Sequence, residues 1–146
     1  MSIRSIAAAA GLSVLTALPA AAQDQPELVT IVTSPDPQTQ LMAMVLTMQS
    51  VQQGASAHIL LCGPAGDMAL QDAPESATAP QEPRGMSPQG LMTTILEKTS
   101  TTAEVCAIYL PNAGLEADAL IDGVTPAKPD EMAGRLLGDN VRILSF

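Results

Sequence analysis

Two cysteines are the residues of this chain best suited to chemistry. Cys62 ends an apolar run, residues 57–62, which also contains the only histidine, His58, and Cys106 lies in a second apolar run, residues 103–112. A thiol in such a place can act as a nucleophile, carry an extra sulfur atom or pair with a second thiol. The sequence does not decide between a disulfide, burial and reactivity for these two.

Each cysteine also has a plain structural interpretation, because a free cysteine in an apolar strand is commonly a small buried side chain. A reactive thiol needs a lowered pKa, which a nearby cation or a helix N-terminus provides. No Lys or Arg lies close to Cys106 in the sequence, and Glu104 would raise the thiol pKa. We therefore take Cys106 as the candidate persulfide or redox thiol, dependent on a neighbouring helix start, and Cys62 as the candidate second thiol.

A metal-carrier interpretation rests on ligand types alone. His58 and Cys62 are four residues apart, so on a strand they share a face, and the chain has eight methionines. Thiolate and thioether ligands favour Cu(I). No methionine cluster accompanies the histidine, however, and no dinucleotide or P-loop motif is present. We predict no cofactor and no metal site, with a carrier of Cu(I) or another metal as a minor alternative.

The N-terminal residues 1–22 have the pattern of a cleaved signal peptide. A positive start at Arg4 is followed by an apolar run, residues 6–18, and a small-residue site ending at Ala22. We therefore predict a periplasmic or secreted protein, whose remaining 124 residues suit a single domain, 23–146. That part has a net charge of −10, so we expect neither nucleic-acid binding nor membrane association after cleavage.

Short apolar runs alternate with amphipathic segments along this domain. Strands are predicted at residues 28–33, 57–62, 103–110, 124–125 and 141–144, helices at 38–53, 67–70, 88–98, 115–121 and 129–138, and an exposed Pro-rich loop at 71–86. Cys106 lies near the middle of its strand if that strand reaches Leu110, and near the rim of the sheet if it stops earlier. This alternation predicts a three-layer α/β/α sandwich with a mainly parallel sheet of about five strands. Ligands of such folds gather beyond the carboxyl ends of the strands, where Cys62 is expected to lie.

The sequence resembles the DsrE/DsrF-like family over residues 28–146. The resemblance is carried by the runs at 59–67, 105–109 and 122–124 and by the terminal apolar strand. It implies an α/β sulfurtransferase-like fold, a persulfide-accepting cysteine at the position of Cys106, and assembly into trimers or hexamers. The chain differs from the sulfur-relay members by its predicted export signal, by Cys62 and by the absence of a cation beside Cys106.

Two functions are expected. The first is an exported DsrE-like protein that binds or transfers sulfur, or cycles between thiol and disulfide, through Cys106. Its partners would be small sulfur species or a partner-protein thiol, and its activity would at most be sulfurtransferase-like or thiol-redox. The alternative is a non-enzymatic oligomeric binding or scaffold domain in which Cys62 and Cys106 are structural.

Overall fold

The structure is a computed structural model that describes residues 25–146, so the predicted signal peptide lies outside the described residues. Five strands and five helices form this part of the chain. The strands are β1 (Glu27–Val32), β2 (Ser56–Leu61), β3 (Thr102–Val105), β4 (Val124–Pro126) and β5 (Val141–Ser145), and the helices are α1 (Pro37–Gln52), α2 (Glu75–Thr78), α3 (Pro88–Lys98), α4 (Tyr109–Ala113) and α5 (Pro129–Leu136). None of these helices combines the length and apolar character that crossing a membrane requires.

The five strands form one sheet in the order β4-β3-β2-β1-β5, and every neighbouring pair is parallel. Helices cover both faces of this sheet, which confirms the predicted three-layer α/β/α architecture. Strands enclosed in this way are apolar on both sides. In β2, for example, every residue from Ala57 to Leu61 is buried.

The two faces of the sheet carry different side chains. Ile59 and Leu61 of β2 pack with Met44 of α1 and with Met92 and Ile95 of α3 in the main core. On the opposite face, which we call the α5 face, a smaller cluster joins Leu60 to Met132 of α5 and to both cysteines. Because side chains alternate along a strand, three residues of β2 and its end and three of β3 and its end share the α5 face: His58, Leu60, Cys62, Thr102, Glu104 and Cys106.

The first two long helices begin where their capping residues predict. The side chain of Asp36 accepts a hydrogen bond from the backbone N of Thr39 at 2.8 Å, and Pro37 follows as the first residue of α1. Ser87 accepts in the same way from Gly90 N at 3.1 Å, ahead of α3. In both cases the cap satisfies an amide that has no partner within the helix, and proline needs none.

The predicted strand at 103–110 is too long. β3 ends at Val105, and the following chain turns, with Tyr109 N donating to Cys106 O at 2.8 Å before α4 begins. Pro111 is tolerated because it stands in the first turn of α4, where its missing N–H is not required. Cys106 therefore lies at the end of its strand and not in the middle.

Three further predictions need correction. The loop at 71–86 contains α2, which places Ala77 in the main core with 1% of its surface exposed. The helical piece predicted at 67–70 is a longer 3-10 segment, Gly63–Ala69. The helix predicted at 115–121 is reduced to a single 3-10 turn, Ala117–Ala119.

Candidate thiol–disulfide site

Cys62 and Cys106 lie side by side at the carboxyl ends of adjacent strands. The backbone N of Cys62 donates to Val32 O at 2.9 Å, and that of Cys106 donates to Leu61 O at 2.8 Å, so both cysteines continue the hydrogen-bond ladder just beyond their strands. Their Cα atoms are 5.0 Å apart and their sulfurs form a disulfide. The structure thus selects pairing among the states that the sequence left open.

This disulfide lies at the border between apolar packing and solvent. Both cysteines are half-buried and pack against the cluster of Leu60 and Met132. The residues that follow them along the rim are open, because Gly63 is exposed and Ile108 has 71% of its surface exposed. A disulfide at an exposed rim is within reach of an attacking thiolate, unlike one enclosed in a core.

A buried polar group lies below the disulfide on the α5 face. His58 is 1% exposed; its Nδ1 is 2.7 Å from Thr102 Oγ1, and its Nε2 is 3.1 Å from Glu104 Oε2. The approach at Nε2 is close but poorly aligned, so within residues 25–146 this nitrogen has no well-aligned hydrogen-bond partner. We assign the hydroxyl of Thr102 as donor to Nδ1, which leaves the ring hydrogen on Nε2, facing the carboxylate.

Burial shifts the proton affinities of both members of this pair. It lowers the pKa of His58 to about 4, and the positive charge of Arg135 acts in the same direction. Burial also raises the pKa of the Glu104 carboxyl, against the opposing charge of Arg135. At neutral pH, His58 is therefore uncharged, and Glu104 is a carboxylate that binds a proton more readily than an exposed one.

Charged residues of α5 and its N-cap complete the surroundings of Glu104. Arg135 forms an ion pair with Glu27 at the start of β1. Lys128 pairs with Glu131 at 2.8 Å, and both side chains are largely exposed. Both cations therefore already have a carboxylate partner other than Glu104.

A shallow groove of about 410 Å³ lies between the Gly63–Ala69 segment and α4, the two pieces of chain that follow the cysteines. The hydroxyl of Tyr109 donates to Asp67 across it at 2.6 Å. Burial, followed by this interaction with Asp67, raises the pKa of Tyr109 far above its ordinary value, so the phenol remains a donor.

The metal-carrier alternative finds little support in this geometry. His58 and Cys62 share a face as predicted, but the Cys62 sulfur is engaged in the disulfide, and both nitrogens of His58 face Thr102 and Glu104. Among residues 25–146, no group of three or more His, Cys, Asp or Glu side chains is arranged to hold a metal ion.

Comparison with known proteins gives similarity at the level of the fold. No family model matches the chain, and no curated protein sequence matches it. The crystal structure of the ychN protein from E. coli superposes with a TM-score of 0.64 at 18% identity, covering 84% of this chain and 99% of that one. The structure of MTH1491 from Methanobacterium thermoautotrophicum, a protein of unknown function, gives 0.60 at 11% identity, covering 84% and 100%. The chain therefore has a DsrE/YchN-like fold, in agreement with the resemblance found in its sequence.

Proposed function

We propose that this protein is an exported thiol–disulfide exchange protein of DsrE-like fold, in which Cys62 and Cys106 cycle between a disulfide and a dithiol. The observation that carries the proposal is the disulfide between two adjacent strand ends, half-buried at an open rim. The DsrE/YchN-like fold supports it, because Cys106 is the position that matches the persulfide-accepting cysteine in the sequence resemblance.

The exchange proceeds in two balanced steps. In the dithiol form, the Cys106 thiolate attacks the disulfide of a partner, so that a mixed disulfide forms and one partner thiolate leaves. Cys62 then attacks the Cys106 sulfur, which forms the internal disulfide and releases the second partner thiolate. Two electrons pass from the cysteine pair to the partner, and the two cysteine protons go to solvent or to the released thiolates.

Sulfur transfer is a finer version of the same chemistry. Hydrosulfide can attack the Cys106 sulfur of the disulfide, leaving a persulfide on Cys106 and a thiolate on Cys62. A thiol acceptor that attacks the outer sulfur would remove it and restore the dithiol. The same pair of residues would thus carry either electrons alone or electrons together with one sulfur atom.

An intact-mass measurement combined with a free-thiol count tests the proposal. Protein isolated without reductant is equilibrated with glutathione buffers of graded potential and quenched with acid. We expect folded protein to convert between disulfide and dithiol, with a defined midpoint. Treating the disulfide form with hydrosulfide should then give a species one sulfur atom heavier than the dithiol form, lost on adding reductant, if sulfur is carried.

The same measurement distinguishes the exchange function from the alternative of a scaffold domain with structural cysteines. A structural disulfide would resist every glutathione buffer until the protein unfolds, and the Cys106→Ser variant would then change stability alone. That outcome would remove the exchange function and leave a non-enzymatic binding domain.

The proposed location is outside the cytoplasmic membrane. The pattern of residues 1–22 supports it, and the disulfide suits an oxidising compartment, since such bonds rarely persist in the cytosol. Expression of the full chain, followed by fractionation and N-terminal sequencing, should place the protein outside that membrane with Gln23 as its first residue. A cytoplasmic product that keeps residues 1–22 would contradict this.

We also propose that the protein forms a homo-oligomer, a trimer or hexamer. The exposed apolar side chains of Leu137, just after α5, and Ile143, in the edge strand β5, have 83% and 50% of their surfaces accessible. They support an interface at this edge of the sheet. Light scattering coupled to size-exclusion chromatography should give the mass of such an assembly. The double variant Leu137→Ser/Ile143→Ser should shift the protein to smaller species, and a monomeric wild type would contradict the proposal.

A further inference from the structure

The exchange steps above leave unused one acid-base pair on the α5 face, the buried His58 and the partly buried Glu104. Glu104 precedes Cys106 by two positions, so their side chains leave the same face of the sheet, about 7 Å apart at their Cα atoms. His58 holds the same relation to Leu60, and Leu60 to Cys62. Glu104 thus lies two residues before Cys106 on one strand, and His58 lies four residues before Cys62 on the next. All four side chains are on the α5 face.

The state of this pair makes Glu104 a proton acceptor. His58 is neutral and its Nε2 faces the Glu104 carboxylate at 3.1 Å, without the alignment of a strong hydrogen bond. A carboxylate that is partly withdrawn from water has a higher proton affinity than one in solvent. Glu104 keeps 23% of its side chain exposed, so a proton that it accepts can pass on to solvent.

The other charged groups around Glu104 leave it available for this role. Arg135 of α5 is bound to Glu27 of β1, and Lys128 is bound to Glu131. Arg135 and Lys128 favour the carboxylate form of Glu104, while Glu131 and burial favour its protonated form, and burial is the largest of these influences. No carboxylate of β2 competes with it, since His58 is the only ionisable residue of that strand.

We propose that Glu104 is the general base of the exchange reaction, accepting the proton of the Cys106 thiol as that sulfur attacks. This inference rests on the proposed function and adds to it a residue that acts on the reacting atom. His58 faces the same carboxylate from the neighbouring strand, with its Nε2 3.1 Å from Oε2 of Glu104.

The step balances without a further reactant. Cys106–SH gives its proton to the Glu104 carboxylate, directly or through one water, while its sulfur forms a bond to one sulfur of the partner disulfide. The partner S–S bond breaks, its electron pair leaves with the second partner sulfur, and Glu104 passes the proton on to solvent. The Cys106 sulfur is oxidised and the partner disulfide is reduced.

A purely electrostatic role for Glu104 would have the opposite effect on the rate. A carboxylate near a thiol disfavours the thiolate, so its removal would lower the thiol pKa of Cys106 and speed the reaction at neutral pH. Removal of a base slows the reaction instead. The sign of the rate change in Glu104→Gln therefore separates the two roles.

The experiment uses dithiodipyridine as the partner disulfide and follows the absorbance of the released thiopyridone from pH 4 to 9. The Cys62→Ser variant presents the Cys106 thiol alone, and Glu104→Gln is added to it. Glu116→Gln in the same background is the matched control, because it removes one exposed carboxylate from the loop region after β3. The phosphine-reduced protein with both cysteines repeats the comparison, in case the serine variant fails to fold.

We expect Glu104→Gln to slow the reaction at pH 7 by about tenfold, less than a full general-base effect because water can still accept the thiol proton. It should also abolish the lower inflection of the pH profile, which reports the raised pKa of Glu104, while Glu116→Gln keeps that inflection. An unchanged or faster Glu104→Gln variant, or a change in stability without a change in the pH profile, would overturn the inference.

The two proposals fail in distinguishable ways. If Glu104→Gln behaves as its parent while the wild-type disulfide still exchanges with glutathione, the exchange function stands and the base is wrong. If the wild-type disulfide does not exchange in the folded protein, both are wrong.

Discussion

The hydroxyl of Tyr109 lies 2.6 Å from Oδ1 of Asp67, so α4 is tied to the segment that follows Cys62. The tyrosine ring also occupies the space above Gly66, where an added Cβ would lie 2.4 Å from two ring carbons. The two pieces of chain that leave the disulfide are therefore held against each other by one aromatic side chain.

Replacing Tyr109 with Phe should lower the free energy of unfolding by about 1 kcal/mol. The change removes the donor to Asp67 and keeps the ring over Gly66. Urea unfolding at pH 7 measures it. Asp67→Asn retains an acceptor oxygen and should cause a smaller loss. No loss in Tyr109→Phe would show that this hydrogen bond contributes nothing.

Replacing Gly66 with Ala should destabilise the protein by roughly 1–3 kcal/mol, because the new methyl group would overlap the ring of Tyr109. Gly134→Ala is the matched control. An added Cβ at Gly134 in α5 meets nothing within 4 Å, so alanine should stabilise that helix by roughly 0.5–1 kcal/mol. Combining Gly66→Ala with Tyr109→Leu should recover part of the loss, and full additivity would contradict the clash.

The low pKa of His58 should make stability depend on pH. Its folded value is about 4 against an ordinary 6.5, so between these values the unfolded chain binds a proton that the folded protein does not. The free energy of unfolding therefore decreases as the pH drops from 6.5 towards 4, and His58 causes no such decrease above pH 6.5.

Urea unfolding of the wild type and of His58→Gln between pH 4 and 8 isolates this effect. We expect the wild type to lose stability relative to the variant by at most about 1.4 kcal/mol per pH unit within the window. Glu104 has the opposite sign, because its raised pKa adds stability as the pH falls, and it is present in both proteins. Parallel curves for the two proteins would mean that His58 does not resist protonation.

Reduction of the disulfide should lower the free energy of unfolding by about 2–4 kcal/mol. The bond joins residues 44 positions apart and so restricts a long loop of the unfolded chain. Urea unfolding with and without a phosphine reductant measures the difference. Cys62→Ser/Cys106→Ser should match the reduced protein and be insensitive to the reductant. Equal stability of the oxidised and reduced forms would rule out a structural contribution of the bond.

The sequence was sufficient for most of the fold. Strands covered on both faces are continuous apolar runs, so β1 and β2 could be predicted to within a residue or two. The edge strand β5 was located equally closely from Val141, Ile143 and Leu144, although none of its residues is fully buried. Asp36 and Ser87, each followed by proline, marked the starts of α1 and α3. The run after Cys106 was misassigned because Ile108 is exposed while Leu110 enters the main core, a difference that depends on tertiary packing and not on local periodicity.

The candidate site was predicted only in part. Cys62 and Cys106 could be named from their residue type and from the expected ends of their strands. Their pairing, and the approach of His58 to Glu104, depend on which strands are neighbours and in which register: His58 pairs with Thr102 and Leu60 with Glu104. Alternation alone places Glu104 and Cys106 on one face, which was the available signal for Glu104.

The position of β5 affects the order in which the sheet can form during synthesis. β1 is the first strand of the described chain, yet one of its two partners, β5, is the last. A ribosome therefore releases β1, β2, β3 and β4 before the strand that covers the free edge of β1 exists. Until then an apolar strand keeps an open hydrogen-bonding edge, which is a template for intermolecular pairing. A nascent chain of this protein thus leaves that edge of β1 unpaired for longer than a sheet whose strands pair in sequence order.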